Sequence, residues 1–561
     1  MRKFTLTIVL SLIIAMTHAQ NPSWIWAKQA GSIYYELAVD ISSDKNNHML
    51  VTGTFSSPSV TIGSTPLTNN SISNYSDFYI AKYDTAGNVI WVRSYGGLLS
   101  EDATGVTSDL SGNIYVTGAF NSDTLIIGND TLYCTDPWGD SSDVFIAKFD
   151  PLGNPLWARA CTGMGHEYVT SIETDPAGDV YITGDFDSDT VNFGALNLVN
   201  NAMGNSFDTY VVKYNSAGNE VWARKLGGTD YEFSKGLTVD GNGNVIITGY
   251  SRSDSIFTPV GALANSSMSA YHDFFVVKYS INGTMIWARM AGGPSDDNAN
   301  DVDSDANGNV FVTGNSYSLN FTFGTDSFVN YSGFGTDIFL VKYDANGNPQ
   351  WAESAGGLLD DNPFSVHCDN QNKIYVGGSY ASSVAYFGND SLTNANGGNG
   401  DIFIAEYDQS GNVVNVIKAA GTQGDGLYDI SSDGYGGIYA VGAYNSNPCV
   451  FGTITLPFSG FYDMYVAKYS DGITGIVNHE LSIDPAVYPN PFAEYITISL
   501  GENVTGTAEI YSADGKIVSA TTLISGDNLV LTGTLSSGIY IVRVVFNDTV
   551  SQMKLVKLET N

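Results

Sequence analysis

Basic residues are scarce: 23 Lys and Arg stand against 58 Asp and Glu in 561 residues, a formal net charge of −35. A chain of that sign repels phosphate backbones and anionic lipid, so nucleic acid and a membrane surface are poor partners. Charge of either sign is thin, at 14% of residues against roughly 25% in an ordinary soluble domain. Six histidines and four cysteines are scattered, and Cys134, Cys161, Cys368 and Cys449 form no CxxC pair. A zinc site is not expected. No GxSxG, HExxH or phosphate-binding glycine loop occurs, and neither His166 nor His367 sits in a serine or cysteine context that suggests a triad. No window shows a helical period, and no stretch beyond the first twenty residues could span a bilayer as a helix.

What is present is apolar and turn-rich: 43% hydrophobic residues, 12% aromatics and 61 glycines. That mixture suits short strands and tight turns. The chain opens with Arg2 and Lys3, an apolar run from Phe4 to Met16, and Thr17-His18-Ala19-Gln20. This describes a signal peptide over residues 1–19, cleaved after Ala19 and lacking the cysteine of a lipid-anchored form. Export permits disulfides, but four cysteines allow three full pairings and the sequence does not choose among them.

A repeat dominates the rest. Trp26, Trp91, Trp157, Trp222, Trp287 and Trp351 follow one another at spacings of 65, 66, 65, 65 and 64, and Asn415 takes the seventh place 64 further on. A stretch of the type D-x-x-G-N-V-Y-V-T-G follows each, opened by Asp44, Asp109, Asp175, Asp240, Asp305, Asp369 or Asp433. Nine residues on stands a glycine every time, from Gly53 to Gly442. A variable Asn/Ser/Gly-rich loop leads to a D-x-F-x-x-K-Y segment starting at Asp77, Asp143, Asp208, Asp273, Asp337, Asp401 or Asp463.

Each unit reads as four short strands, β-branched and aromatic, with hairpin turns at D-x-x-G-N. One such unit cannot bury both faces of its sheet, whereas units stacked around an axis can. The first tryptophan strand, Trp24 to Lys28, has no predecessor, and the last tyrosine strand, Met464 to Tyr469, has no successor. Pairing them completes a seventh blade and removes two bare edges. The expectation is an all-β chain: a closed seven-bladed β-propeller over residues 20–470, a linker over 471–486, and a small Ig-like β-sandwich over 487–561. The repeat resembles the SBBP-type β-propeller repeat of bacterial surface proteins, a likeness that implies fold and carries little about activity.

The C-terminal strands, such as Tyr495 to Leu500 and Gly538 to Arg543, alternate as a sandwich should. Tyr488-Pro489-Asn490-Pro491, Ile510-Tyr511 with Asp514-Gly515-Lys516, Leu535 with Gly538-Ile539-Tyr540, and Lys554-Leu555-Val556-Lys557 resemble the C-terminal sorting domain of type IX secretion in Bacteroidetes. That resemblance implies the type IX machinery as a partner and export across the outer membrane, followed by release or attachment at the cell surface.

Three constellations are candidates for chemistry. Eight residues before each repeat aspartate lies an acid: Glu36, Glu101, Glu167, Glu232, Asp297, Asp361 or Asp425. They are expected where the innermost strands begin, either as a carboxylate collar at a channel mouth that would take calcium, or as local acceptors for loop amides. Asp303, Asp305 and Asn307 match the start of a calcium loop, although Gly314 stands where the bidentate Glu belongs. Trp138 lies in a variable loop, suited to stacking on a sugar or anchoring a partner. The leading functional expectation is a non-catalytic propeller, secreted or displayed on the cell surface, that binds protein or glycan through its loops. The alternatives are a secreted carbohydrate-active enzyme, hydrolase or lyase, and a structural surface-layer protein.

Overall fold

The computed structural model describes residues 23–470, apart from 136–140, 202–205, 268–270, 332–334, 395–396 and 435. Further along it describes 486–488, 495–500, 505–512, 516–524, 526–532, 535–546 and 549–557. Trp138 and the Pro489-Asn490-Pro491 run lie outside these residues. The chain divides into two compact units between Ile473 and Thr474. All the regular elements among the described residues are strands.

In the first unit, Glu36–Ser43, Met49–Phe55, Asp77–Tyr83 and Val89–Tyr95 pair antiparallel in that order. The same four-strand order recurs in sheets whose first strands are Glu101–Ser108, Glu167–Thr174, Glu232–Val239, Asp297–Ser304 and Asp361–Cys368. The sheet begun by Asp425–Ser432 takes its fourth strand from the other end of the unit. There Ser23–Ala30 runs antiparallel to Asp463–Ser470, with Trp24 opposite Tyr469 and Ala30 opposite Met464. The second and third strands are buried along nearly their whole length, as in Met49–Phe55 and Asp77–Tyr83, because neighbouring sheets cover both their faces.

The stretch read as a variable loop holds an additional hairpin. In the first sheet Ser59–Ile62 pairs with Thr65–Thr68 around Gly63, whose φ of 62° suits a tight two-residue turn. Its alternation sends Val60, Ile62 and Leu67 into the core and leaves Ser59 and Thr61 outside. In the fifth sheet the corresponding hairpin of the next unit, Val384–Phe387 with Asp390–Thr393, extends the sheet itself.

Two repeated interactions join and pin the sheets. Each framework tryptophan lies over the turn glycine of the following sheet, and all but Trp91 donate the indole N–H to a carbonyl of that turn. Trp222 donates to Ile281 O at 3.0 Å, Trp287 to Ala345 O at 3.2 Å, and Trp26, on the strand contributed by the N-terminus, to Thr85 O at 3.3 Å. Where Asn415 replaces tryptophan, its amide donates to the Tyr469 hydroxyl at 2.6 Å. The repeat aspartate caps its own hairpin, as when Asp109 Oδ1 accepts Ser111 N and Asn113 N at 2.9 Å. In five units the lysine of D-x-F-x-x-K reaches the same carboxylate. Lys82 lies 2.7 Å from Asp44 and Lys278 2.8 Å from Asp240, both pairs buried, whereas Lys342 turns to Gln409. Burial alone would raise Asp44, yet the hydrogen bond and charge of Lys82 outweigh it and lower the carboxyl. The sixth unit exchanges the signs, with Lys373 pairing to Glu406 at 2.9 Å.

The invariant glycine answers to a bulge. In every first strand the ladder slips at one place, between Ala38 and Asp40 in the first sheet and Ala103 and Gly105 in the second. The slip thrusts a carbonyl at the facing second strand. A Cβ on Gly53 would lie 1.9 Å from Leu37 O, on Gly118 2.2 Å from Asp102 O, and on Gly249 1.9 Å from Phe233 O. No side chain fits there.

The second unit is two antiparallel sheets. Ala486–Tyr488, Tyr495–Leu500 and Gly526–Leu531 form one, and Ile517–Leu523, Gly506–Ser512, Gly538–Phe546 and Thr549–Lys557 the other. Ile496 and Ile498 from the first meet Ile510, Leu523 and Val542 from the second in a shared core.

Replacing Gly118 by alanine should therefore cost about 3 kcal/mol of stability, read by urea denaturation. Alanine at Gly241, whose added Cβ meets nothing within 4 Å, should stay within about 0.5 kcal/mol of the parent.

Candidate functional site

The seven repeated acids stand at the heads of the first strands, and six of them, all but the 2%-exposed Asp425, are fully buried. They do not face one another as a collar. Each is bonded into its own sheet: Glu101 Oε2 accepts Gly97 N at 2.5 Å and Oε1 accepts Ser122 N at 3.1 Å. Glu232 accepts Gly228 N at 2.6 Å and Ser251 Oγ at 2.8 Å, Asp361 accepts Ser382 Oγ at 2.7 Å, and Glu36 accepts Ser32 N at 2.7 Å. The carboxyl beside each is the aspartate heading a third strand, Asp77 near Glu101 and Asp208 near Glu232. Local hydrogen bonds to loop amides and hydroxyls engage these carboxylates, as the second expectation had it, although one oxygen each of Glu36, Glu167 and Asp425 accepts no bond.

Burial pushes these paired carboxyls up. Glu101 and Glu232 rise to about 7, and Asp77, Asp297, Asp361, Asp401 and Asp425 to about 6. Hydrogen bonds from serine and backbone N–H oppose the rise without cancelling it.

The calcium-loop trio separates in the same way. Asp305 Oδ1 accepts Asn307 N and Asn309 N at 2.9 Å, which makes it a hairpin cap. Asp303, two residues earlier and within the strand, lines a cavity. The trio makes no common site, because Asp305 stands past the strand's end and is committed to its turn while Asp303 lines the cavity.

That cavity, of about 320 Å³, is the candidate functional site. First-strand residues of all seven sheets line it. The bulge supplies its most polar positions, which read Asp40, Gly105, Ser171, Gly236, Asp301, Ser365 and Asp429 in the seven units. Three of these acids reach into the next sheet and satisfy the N–H that its bulge leaves unpaired. Val106 N donates to Asp40 at 2.5 Å, Val366 N to Asp301 at 2.8 Å, and Ile41 N to Asp429 at 3.0 Å. Ser365 Oγ donates to the other oxygen of Asp429 at 2.7 Å. Burial first, and then the negative charge of Asp429, hold Asp40 and Asp301 well above the usual carboxylate range. An adjoining hollow of about 350 Å³ shares Asp40, Asp301 and Asp429 and opens past Lys235, Phe364 and Tyr428. Sequence reasoning passed over these bulge positions. Their signal was present, as the places in the strand where seven otherwise similar units disagree.

Aromatic rings run across the ends of two neighbouring sheets where the first strands begin. His166 stacks on Tyr168 at 5.8 Å, Tyr168 on Phe207 at 5.8 Å, and Phe207 packs on Phe233 at 5.3 Å. Phe233 then meets Tyr250 at 5.4 Å, and Tyr250 meets His272 at 4.9 Å. The rings are half-buried, with Tyr168 exposed.

These features define an all-β protein of propeller type. The Beta-propeller repeat family matches residues 221–257 and 286–322, and the Secretion system C-terminal sorting domain family matches residues 486–558. The chain thus carries β-propeller repeats and a type IX sorting domain, and the sorting domain indicates export across the outer membrane to the cell surface or secretion. It is 23% identical to an uncharacterized WD repeat-containing protein of Acanthamoeba polyphaga mimivirus, over 81% of this chain and 39% of that protein. It is 30% identical to the regulatory protein FlaEY of Caulobacter vibrioides, over 37% of this chain and 20% of that one. The chain spans well under half the length of either relative. Among solved structures it is similar to the Neurospora crassa Pan2 WD40 domain, at 9% identity and a TM-score of 0.37, over 80% of this chain and 97% of that one.

The paired acids set a pH dependence. Their folded-state pKa values are raised, so the stability they contribute is complete below about pH 4 and is lost as pH rises through 6 to 7. The melting temperature should therefore fall between pH 5 and pH 8, and Glu101→Gln with Asp297→Asn should flatten that fall.

Proposed function

We propose that the first unit is a closed seven-bladed propeller that binds a glycan or protein ligand on its aromatic end, and that the second is an Ig-like sorting sandwich. In this reading residues 1–19 are a signal peptide, 20–470 the propeller, 471–486 a linker and 487–561 the sorting domain. Closure draws support from the pairing of Ser23–Ala30 with Asp463–Ser470. It also draws on Trp26, which reaches the first sheet's turn with the hydrogen bond that Trp222 and Trp287 make elsewhere. A closed ring leaves no edge strand to recruit another chain.

The observation that carries the binding reading is the run of rings from His166 to His272. A globular protein gains little by leaving tyrosine and phenylalanine half-exposed in a contiguous band. Rigid amphipathic rings offer large contact area at small entropic cost, and their faces suit sugar rings or an apolar side chain. Lys235, 5.6 Å from the Tyr250 ring, and Asn300 beside the hollow add hydrogen-bond donors. A rigid scaffold carrying such a band serves recognition at the cell surface.

An arrayed glycan screen with the full chain should return specific ligands. Replacing Tyr168 and Phe233 together with alanine should weaken binding of the best hit by about tenfold or more while leaving the melting temperature within a few degrees. Unchanged affinity in the double variant would move the ligand surface elsewhere. The sorting assignment has its own readout. Removing residues 488–561 should leave the folded propeller in the periplasm, measured by fractionation and surface proteolysis.

A further inference from the structure

We propose that Ser432, His367 and Asp303 form a nucleophile–base–carboxylate relay that hydrolyses a carboxylic ester admitted to the central cavity. This activity is independent of the aromatic binding surface. The three residues come from first strands of three successive sheets and are separated by roughly one repeat each, so sequence proximity could not reveal them. Ser432 Oγ lies 2.9 Å from His367 Nε2. His367 Nδ1 lies 3.3 Å from Asp303 Oδ2. All three line the cavity of about 320 Å³, a size within the ordinary range for small-ligand sites.

The hydrogen bonds assign the roles. Asp303 is an acceptor, so it holds the imidazole with its proton on Nδ1 and leaves Nε2 to take the serine proton. The carboxylate is itself fixed, accepting Cys368 N at 2.8 Å and Thr238 Oγ1 at 3.0 Å. The Ser43 hydroxyl donates to Ser432 O at 2.7 Å, an interaction with the backbone that leaves Ser432 Oγ turned to the imidazole. The His367 side chain is 25% exposed and that of Asp303 is 20% exposed, so a ligand in the cavity reaches them.

The repeat supplies a control for this assignment. At the position of His367 the other six units carry Ser42, Thr107, Glu173, Thr238, Asp303 and Ser431. Histidine is used once, and it stands where a carboxylate precedes it and a hydroxyl follows it. Positions that serve closure of the sheets recur in every unit, whereas this combination occurs in one place. Burial would lower His367, but the hydrogen bond and charge of Asp303 win and raise it, as a base paired to a carboxylate should be. Asp429, Asp369 and Glu173 also face the ring and add to the same field.

The chemistry balances without a cofactor. Ser432 Oγ bonds to the ester carbonyl carbon as its proton passes to His367 Nε2. Collapse of the tetrahedral intermediate breaks the bond to the alkoxy oxygen, and the leaving alcohol takes the proton from His367. Water then attacks the acyl-serine by the same route, its proton passing through His367 to Ser432, and the carboxylic acid is released. Asp303 acts through His367 as a positioning residue.

The test uses the full chain, a fluorophosphonate probe and p-nitrophenyl acetate. Serine displaces fluoride from the probe, and peptide mass mapping should place the adduct on Ser432. Ester hydrolysis should fall about a hundredfold or more in Ser432→Ala and in His367→Asn. The wild-type rate should rise with pH through one titration, and Asp303→Asn should lower the rate and shift that titration to lower pH. An unlabelled wild-type chain, an adduct on another residue, or hydrolysis undiminished in Ser432→Ala would overturn the proposal. Wild-type labelling decides the matter even where a variant fails to fold.

Discussion

The bulge in each first strand is the feature on which the propeller unit depends. It displaces a carbonyl into the space a side chain would need on the second strand, which admits only glycine at Gly53, Gly118 and their five counterparts. It leaves one N–H without a ladder partner, and in three places a carboxylate from the preceding sheet supplies the acceptor. It also turns an additional side chain toward the cavity. Sheet-to-sheet attachment and the polarity of the cavity thus have one geometric origin.

Sevenfold repetition separates structural from functional positions within one chain. Acids at the strand heads, glycines opposite the bulges and aspartates at the hairpins recur because every sheet makes the same demand of them. The bulge position varies among aspartate, serine and glycine, and the position two further on includes glutamate, aspartate and histidine. Side chains there line the cavity, and only some of them also bond a neighbouring sheet, so the fold leaves the positions free to differ. The relay through His367 and the carboxylates around Asp429 both occupy such positions.

The formal charge of −35 overstates the field this protein generates. Many of its acids are buried in pairs, and burial raises Asp40 and Asp301 well above the usual carboxylate range and Glu167 to about 9, which weakens the charge each carries. Other aspartates are neutralised by buried lysines, as at Asp44 and Asp240. The sparing use of lysine and arginine is consistent with this, since several of the few present serve as internal partners.

The all-β class, the repeat period, the hairpin aspartates and the sorting domain were legible in the amino-acid order, because each rests on residues close together in the chain. The strand-head acids were legible as a set with two readings, collar or local acceptors, since sequence marks where a strand starts but not whether its first side chain turns inward to its own sheet. The hairpin at Ser59–Ile62 was hidden by its small and polar residues, and only the burial of Val60, Ile62 and Leu67 exposes its role. Asp303, His367 and Ser432 read as unrelated residues until three sheets placed them side by side. Local hydrogen bonding and alternation are written along the chain, whereas contacts between residues a full repeat apart exist only once the sheets are packed against one another.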